Sequence, residues 1–258
     1  MKNIKLTIEY DGSHYAGWQR QPNAVTVQQK IEEALKKLTG EKIRVTGSGR
    51  TDSGVHARGQ AANFLTNSSI PPEKFSYALN SLLPRDIRIV CSREVDGSFH
   101  ARFSATGKRY KYSLIVCPHG TAIGYQYLHH VRVPLDIAAM KEAVGYFSGT
   151  HDFAAFMAAG SPVRSTVRTI YDARLEWDDP FLYFIVKGDG FLYNMVRIMV
   201  GTLIEVGIGK IGPLAIPDIL RSRDRRKAGP TAPPQGLSLE EVYYEDPPGS
   251  CPKKVGIP

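Results

Sequence analysis

The sequence is short of cysteine, of acidic residues and of long apolar runs, and each shortage closes off a class of protein. Its three cysteines, Cys91, Cys117 and Cys251, form no C-x-x-C pair. Neither a disulfide framework nor a zinc site is therefore indicated, and a reducing compartment is expected. The most apolar stretch, FLYNMVRIMVGTLIEVGIG from Phe191, is interrupted by Arg197 and Glu205 and makes a poor membrane span. The opening MKNIKLTIEYDG alternates charged and apolar residues and reads as a strand, not a signal peptide. A soluble cytoplasmic protein without a membrane association is expected. Acids number 25 against 33 Lys+Arg, a formal net charge of +8, and this balance favours a polyanionic partner such as nucleic acid or an anionic membrane surface. Nucleotide-binding loops are missing too, since no G-x-x-x-x-G-K-[ST] or G-x-G-x-x-G spacing occurs.

What is present is a pattern of elements used twice. Ile4, Leu6, Ile8 and Tyr10 alternate as in a half-buried strand. TVQQKIEEALKKLTG then places Val27, Ile31, Ala34, Leu35 and Leu38 on one helical stripe, with Thr26 and Gln29 as a capping box and Gly40 as the stop. KIRVTG and GQAANFLT read as strands, PPEKFSYALNSLLP as a helix and DIRIVCSREV as a closing strand. The second half repeats the order with KRYKYSLIV, LDIAAMKEAVGYFSG, TIYDARLEWDD, FLYFIVKGDG, a long helix from Leu192 and LSLEEVYY. The expected fold class is α+β, with two ferredoxin-like βαββαβ subdomains whose antiparallel sheets are covered by helices on one face and form a central cleft. The expected boundaries are 1–104, 105–245 and a flexible tail 246–258.

Between the second and third strands of the first half lies GSGRTDSGVHARGQAANF, in which one carboxylate, Asp52, stands among glycines and cations. Gly47, Gly49 and Gly54 permit sharp folding and close backbone approach, though a solvated turn would carry the same residues. The segment GRTDSGVHARGQ resembles the catalytic motif of the TruA family of tRNA pseudouridine synthases. The likeness extends in order through YDGSHYAGWQRQPNAVTVQ, FHARFSATGKRYKY, GTHDFAAF, FLYNMVRIMVG and AGPTAPPQGLSLEEVYY. Ser53 stands where the family usually has Ala, and both are small. The resemblance implies isomerisation of uridine to pseudouridine in tRNA, at positions 38 to 40 of the anticodon stem-loop. It also implies an essential Asp52, a homodimer, and no metal or organic cofactor.

The residues fit that chemistry. A C–N glycosidic bond must break and a C–C bond form without redox change, so an ionised carboxylate is wanted as nucleophile or base. Burial would raise the pKa of Asp52, and a neighbouring cation would oppose that rise. Arg197, set among Met195, Val196, Ile198, Met199 and Val200, needs a partner. Pairing with Asp52 is expected, in agreement with the family, while backbone carbonyls at a helix rim are the plainer alternative. Tyr110 shares a strand face with Tyr112 and Leu114, as core residues do. The resemblance singles it out as the ring that holds a flipped base and relays the C5 proton. Arg50 corresponds to the family's arginine that holds the base out of its stack. His56 and Arg58 are expected at phosphate, with a loop-holding role equally open for His56. Lys108, Arg109, Lys111, Arg164, Arg168 and the run RSRDRRK at 221–227 offer further phosphate contacts. His129, His130 and His151 have no ligand-like spacing and read as structural or surface residues, and no metal ligands are expected.

Two rivals were weighed against this reading. A noncatalytic RNA-binding protein would share the βαββαβ order, but the aromatic strand signature of the RNA recognition motif is missing. A glycosidase acting on nucleosides would want a second carboxylate, and the Asp52 loop offers none.

Overall fold

The computed structural model describes residues 1–160 and 163–245. Ten strands and five α-helices are found among them, an α+β chain. The chain divides into two compact units, one of Met1–Thr106 with the segment from Glu240 onward and the other of Gly107–Leu239.

The first unit runs β1 (Lys2–Tyr10), α1 (Val27–Thr39), β2 (Thr46–Gly47), β3 (His56–Thr66), α2 (Phe75–Asn80) and β4 (Ile87–Val95). β1 is central and antiparallel to both β3 and β4, with β2 on the far side of β3. Alternation decides its faces: Ile4, Leu6 and Ile8 are fully buried. The β1–β3 register slips between Ile8 and Tyr10, at the end where the Asp52 loop enters β3. A bulge there twists the strand and re-aims its last residue. Helix α1 has the caps expected of it. Thr26 accepts the Gln29 N–H at 3.4 Å, and Gly40 closes the helix at φ 75°.

The expected strand KIRVTG shrinks to Thr46–Gly47 for a clear reason. Glu32 Oε1 accepts the Val45 N–H at 3.1 Å and Gln28 Nε2 donates to Val45 O at 2.9 Å. Side chains of α1 thus take the backbone groups that a ladder would use. Helix α2 is also shorter than its pattern, because Pro72–Lys74 forms a 3-10 turn before it.

Two buried asparagines fasten the segment after β4. Asn63 Nδ2 donates to Asn3 Oδ1 at 2.9 Å, Asn3 Nδ2 donates to the carbonyls of Asp96 and Phe99, and Asn63 Oδ1 accepts the Ala101 N–H. The Tyr244 O–H donates to Ala101 O at 2.7 Å, and the Lys5 ammonium lies 3.7 Å from the centre of the Tyr244 ring.

The second unit contains β5 (Ala105–Val116), β6 (His129–Val131), α3 (Ile137–Gly145), β7 (Gly149–Asp152), β8 (Val167–Asp178), β9 (Phe181–Gly188), α4 (Met195–Gly207), α5 (Ile216–Ser222) and the start of β10 (Leu237–Tyr244). Its strands lie in the order β5-β9-β8-β7, all antiparallel. β6 departs from the expected antiparallel sheets, for it pairs with β5 in parallel. A parallel neighbour needs a crossover instead of a hairpin, and the excursion 117–128 supplies it. Helix α4 begins at Met195, not Leu192, because Asn194 sits in the left-handed region at φ 59°. β6, β7 and α5 were not expected, being short pieces with too few residues to show a period. β10 crosses the division: Leu237–Leu239 belong to this unit and the rest to the first. In the first unit a Cβ at Gly59 would stand 2.3 Å from Glu240 O, so only glycine admits that strand.

Cys117 is a free thiol. Cys251 and the expected flexible tail lie outside the described residues. Among the described residues no helix is long and apolar enough to cross a membrane.

Candidate active site

In the first unit, the loop between β2 and β3 is held from both sides of Asp52. The Thr51 hydroxyl and the Tyr10 hydroxyl are 2.7 Å apart, and Thr51 O accepts the Trp18 N–H at 3.2 Å. On the other side, the Ser53 hydroxyl and the Gly54 N–H both donate to Tyr15 O at 3.3 Å, and the Val55 N–H closes a turn onto Asp52 O at 3.1 Å. Upstream, the Ser48 hydroxyl donates to Gln60 Oε1 at 2.6 Å while Gln60 Nε2 donates to Gly49 O at 2.9 Å. Gln60 is fully buried, so these bonds work where water does not compete. Asp52 itself is half-buried on a backbone with little freedom left. Burial pushes the Tyr10 phenol far up, which keeps it neutral beside the loop.

The segment 11–26 forms the cradle. Gly17 has φ 83°, and a Cβ there would stand 2.3 Å from Thr51 O. A Cβ at Gly47 would stand just as close to the Trp18 ring. The cradle is tied to α1 by Gln28, whose Oε1 accepts the Arg20 N–H at 2.9 Å, and by Glu32, whose carboxylate pairs with the Arg20 guanidinium at 3.0 Å. Gln28 and Glu32 are both buried. Sequence reasoning singles out none of Gly17, Gln28 and Glu32, although the block YDGSHYAGWQRQPNAVTVQ contains the first two.

His56, the first residue of β3, is buried, and its Nδ1 accepts the Gly12 N–H at 3.0 Å with Asp11 Oδ1 at 3.2 Å. That is the geometry of a residue that holds the cradle. Arg58 and Arg50 are exposed. Arg50 Nε donates weakly to Gln19 Oε1 at 3.4 Å, so its long side chain is lightly tethered beside Asp52.

The second unit carries the other candidates. Tyr110 of β5 is 7% exposed, opposite Val186 in register, with the Phe191 ring edge-on at 5.1 Å. Tyr112 is fully buried and its O–H donates to Pro233 O at 2.8 Å. Burial drives the Tyr112 phenol far up, with the nearby Arg197 charge opposing the shift. Arg197 of α4 is half-buried, donating from Nε to Ala232 O and from Nη1 to Asn194 Oδ1, each at 2.7 Å. One of these acceptors is the backbone carbonyl of the plainer alternative. Both are neutral, so they fix the guanidinium without cancelling its charge. The connector that presents Ala232 is pressed against α4: a Cβ at Gly201 would stand 1.8 Å from Pro230 O, and the Gly229 N–H donates to the buried Thr202 hydroxyl at 2.9 Å.

Lys108 and Arg109 lie half-buried on β5, Arg164 is exposed, and Arg168 donates to Ser165 O and Val167 O. In the run 221–227, Arg221 pairs with Asp218, Arg223 with Asp152 and Arg226 with Asp224. Arg226 holds the Asp224 carboxyl down at about 2. His151 Nε2 lies 2.9 Å from Ser148 O and His130 Nε2 2.6 Å from Cys117 O. Among the described residues no group of three His, Cys, Asp or Glu side chains is placed to hold a metal.

The chain matches the family model described as tRNA pseudouridine synthase over residues 6–104 and 143–245. It is 57% identical over 244 residues to a tRNA pseudouridine synthase A of Acetivibrio thermocellus, covering 95% of this chain and 100% of that one. A tRNA pseudouridine synthase A of Ruminiclostridium cellulolyticum is 56% identical over 245 residues, with the same coverage of both chains. That of Thermoanaerobacter sp. is 52% identical over 244 residues, again covering 95% of this chain and 100% of that one.

Proposed function

The chain belongs to the tRNA pseudouridine synthase family, and from that membership we propose that it isomerises uridine to pseudouridine at positions 38 to 40 of the tRNA anticodon stem-loop, with Asp52 as the essential residue. It is an isomerase. The observation that carries the finer reading is the half-buried carboxylate of Asp52 on a loop pinned from both sides, inside the first matched segment.

In the proposed reaction Asp52 acts as nucleophile or base at the nucleoside. The C1′–N1 bond breaks, the uracil turns over, C1′–C5 forms, and the proton on C5 leaves while N1 gains one. Atoms balance without an oxidant or a cofactor. Arg197 is the cation that keeps Asp52 ionised in a desolvated setting. Tyr110 stacks on the displaced base and takes the C5 proton. Taking the uridine out of its stem costs a few kcal/mol, and Arg50 fills the space it leaves. Lys108, Arg109, Arg164 and Arg168 meet tRNA phosphates, with Arg58 a further candidate, and the working form is a cytoplasmic homodimer.

Tritium release from tRNA labelled at uridine C5 tests the proposal, with wild type and Asp52→Ala compared. Wild type is expected to release tritium and Asp52→Ala to release none while still binding tRNA. Release by both proteins would remove Asp52 from the mechanism, and release by neither would leave only RNA binding.

A further inference from the structure

A turn outside the Asp52 loop is built with unusual rigidity around an exposed ring. It follows β4 and spans residues 96–104. The Asp96 carboxylate accepts the Ser98 N–H and hydroxyl, the Phe99 N–H donates to Asp96 O, and the His100 N–H donates to the Ser104 hydroxyl at 3.1 Å. His100 Nδ1 accepts two backbone donors, Arg102 N–H and Phe103 N–H, both at 3.2 Å. Beneath the turn stand the buried Asn3 and Asn63, whose amides hold the carbonyls of Asp96 and Phe99 and the N–H of Ala101.

All this fastening presents Phe103, which is 77% exposed. A lone exposed apolar residue is commonplace and asks for no explanation. This one is already half of a stack: the His100 ring lies 4.3 Å away at 26°, and the Arg102 guanidinium is 5.7 Å from the ring centre. No Asp or Glu occurs in the turn after Asp96, and Arg102 adjoins Phe103. An anionic strand approaching the turn therefore meets a rigid aromatic step with the Arg102 cation beside it. Unpaired bases stack on such steps, and the adjoining phosphates favour arginine.

We propose that Phe103, backed by His100, is a stacking step for an unpaired RNA base and that Arg102 takes the phosphate beside it. This rests on the reading of the chain as a tRNA enzyme and adds a contact remote from the Asp52 loop in sequence. The side chain contributes little to the fold, so Phe103→Ala is expected to keep the wild-type melting temperature.

The affinity of Phe103→Ala for an unmodified tRNA transcript is expected to fall roughly 5- to 150-fold, and Phe103→Trp is expected to restore it. The new indole in Phe103→Trp should also lose fluorescence when a short single-stranded oligouridylate is added, beyond any change in wild type. An unchanged affinity in Phe103→Ala overturns the proposal, as does a fall in its molecular mass in solution, which would mark the turn as a protein contact. The two readings fail separately. Wild-type protein that binds tRNA but releases no tritium would refute the reaction, and the stacking step would still stand if Phe103→Ala weakened that binding.

Discussion

Gly17 contributes to the geometry of Asp52 as much as any residue of the loop itself. Its left-handed backbone and the carbonyl of Thr51 together forbid a side chain. Gly17→Ala is expected to cost about 1–3 kcal/mol, read as a lower urea midpoint at unchanged slope, and to depress tritium release by more than the stability loss explains. A midpoint equal to wild type would show that the loop yields freely. At the same scale, the proposed Asp52–Arg197 pair is open to a double-mutant cycle on stability using Asp52→Ala, Arg197→Ala and both together. Coupling of at least about 1 kcal/mol is expected, and additive losses would sink the pair. The Asp52 loop was legible as a glycine-rich turn between two strands, while the role proposed for Asp52 comes from the resemblance of its motif. Gly17 was not legible, because its constraint is a close approach by residues far along the chain. His56 was half legible: its residue type allowed phosphate binding or loop support, and only its burial and the Gly12 N–H distinguish the two.

The elements that carry the second unit's candidates depend on a seam between α4 and the connector to β10. Thr202 is the acceptor at that seam, and Thr202→Val keeps its shape while leaving the Gly229 N–H without this partner. A destabilisation of about 1–3 kcal/mol is expected from thermal or denaturant unfolding. If activity follows the seam, kcat should drop as well, because Ala232 of the same connector accepts from Arg197. A variant as stable and active as wild type would show that the connector is held by other means. Periodicity revealed the long elements well: β1, α1, β3, β5, β8 and β9 all stand where alternation or a helical stripe indicated. It failed where side chains of another element took over the backbone, as Gln28 and Glu32 do at Val45. It failed too where an element was as short as β6.

On the scale of the whole molecule, the net charge of +8 makes tRNA affinity a function of salt. With six or more phosphate contacts, affinity should fall about a thousandfold or more between 50 and 200 mM salt. The structure ranks the contributors. Arg221, Arg223 and Arg226 already face carboxylates, so replacing Arg221 by Ala should flatten the salt dependence less than replacing the exposed Arg164 does, as binding titrations at several salt concentrations would show. Composition alone could not make that distinction, since it counts charges without their partners. The order of the long elements was legible, but β6, β7 and α5 were not, nor was the allegiance of the last strand, because a strand's pattern does not name its neighbour.

That last strand sets a timetable for synthesis. Tyr244 donates to Ala101 and lies beneath Lys5, yet a ribosome reaches Glu240 only after adding 134 residues beyond Thr106. At about 5–20 residues per second, the wait is roughly 7 to 27 s. Through that interval the emerging chain lacks the strand that Ala101 and Lys5 contact, and Gly59 keeps open a berth that no side chain of its own can fill.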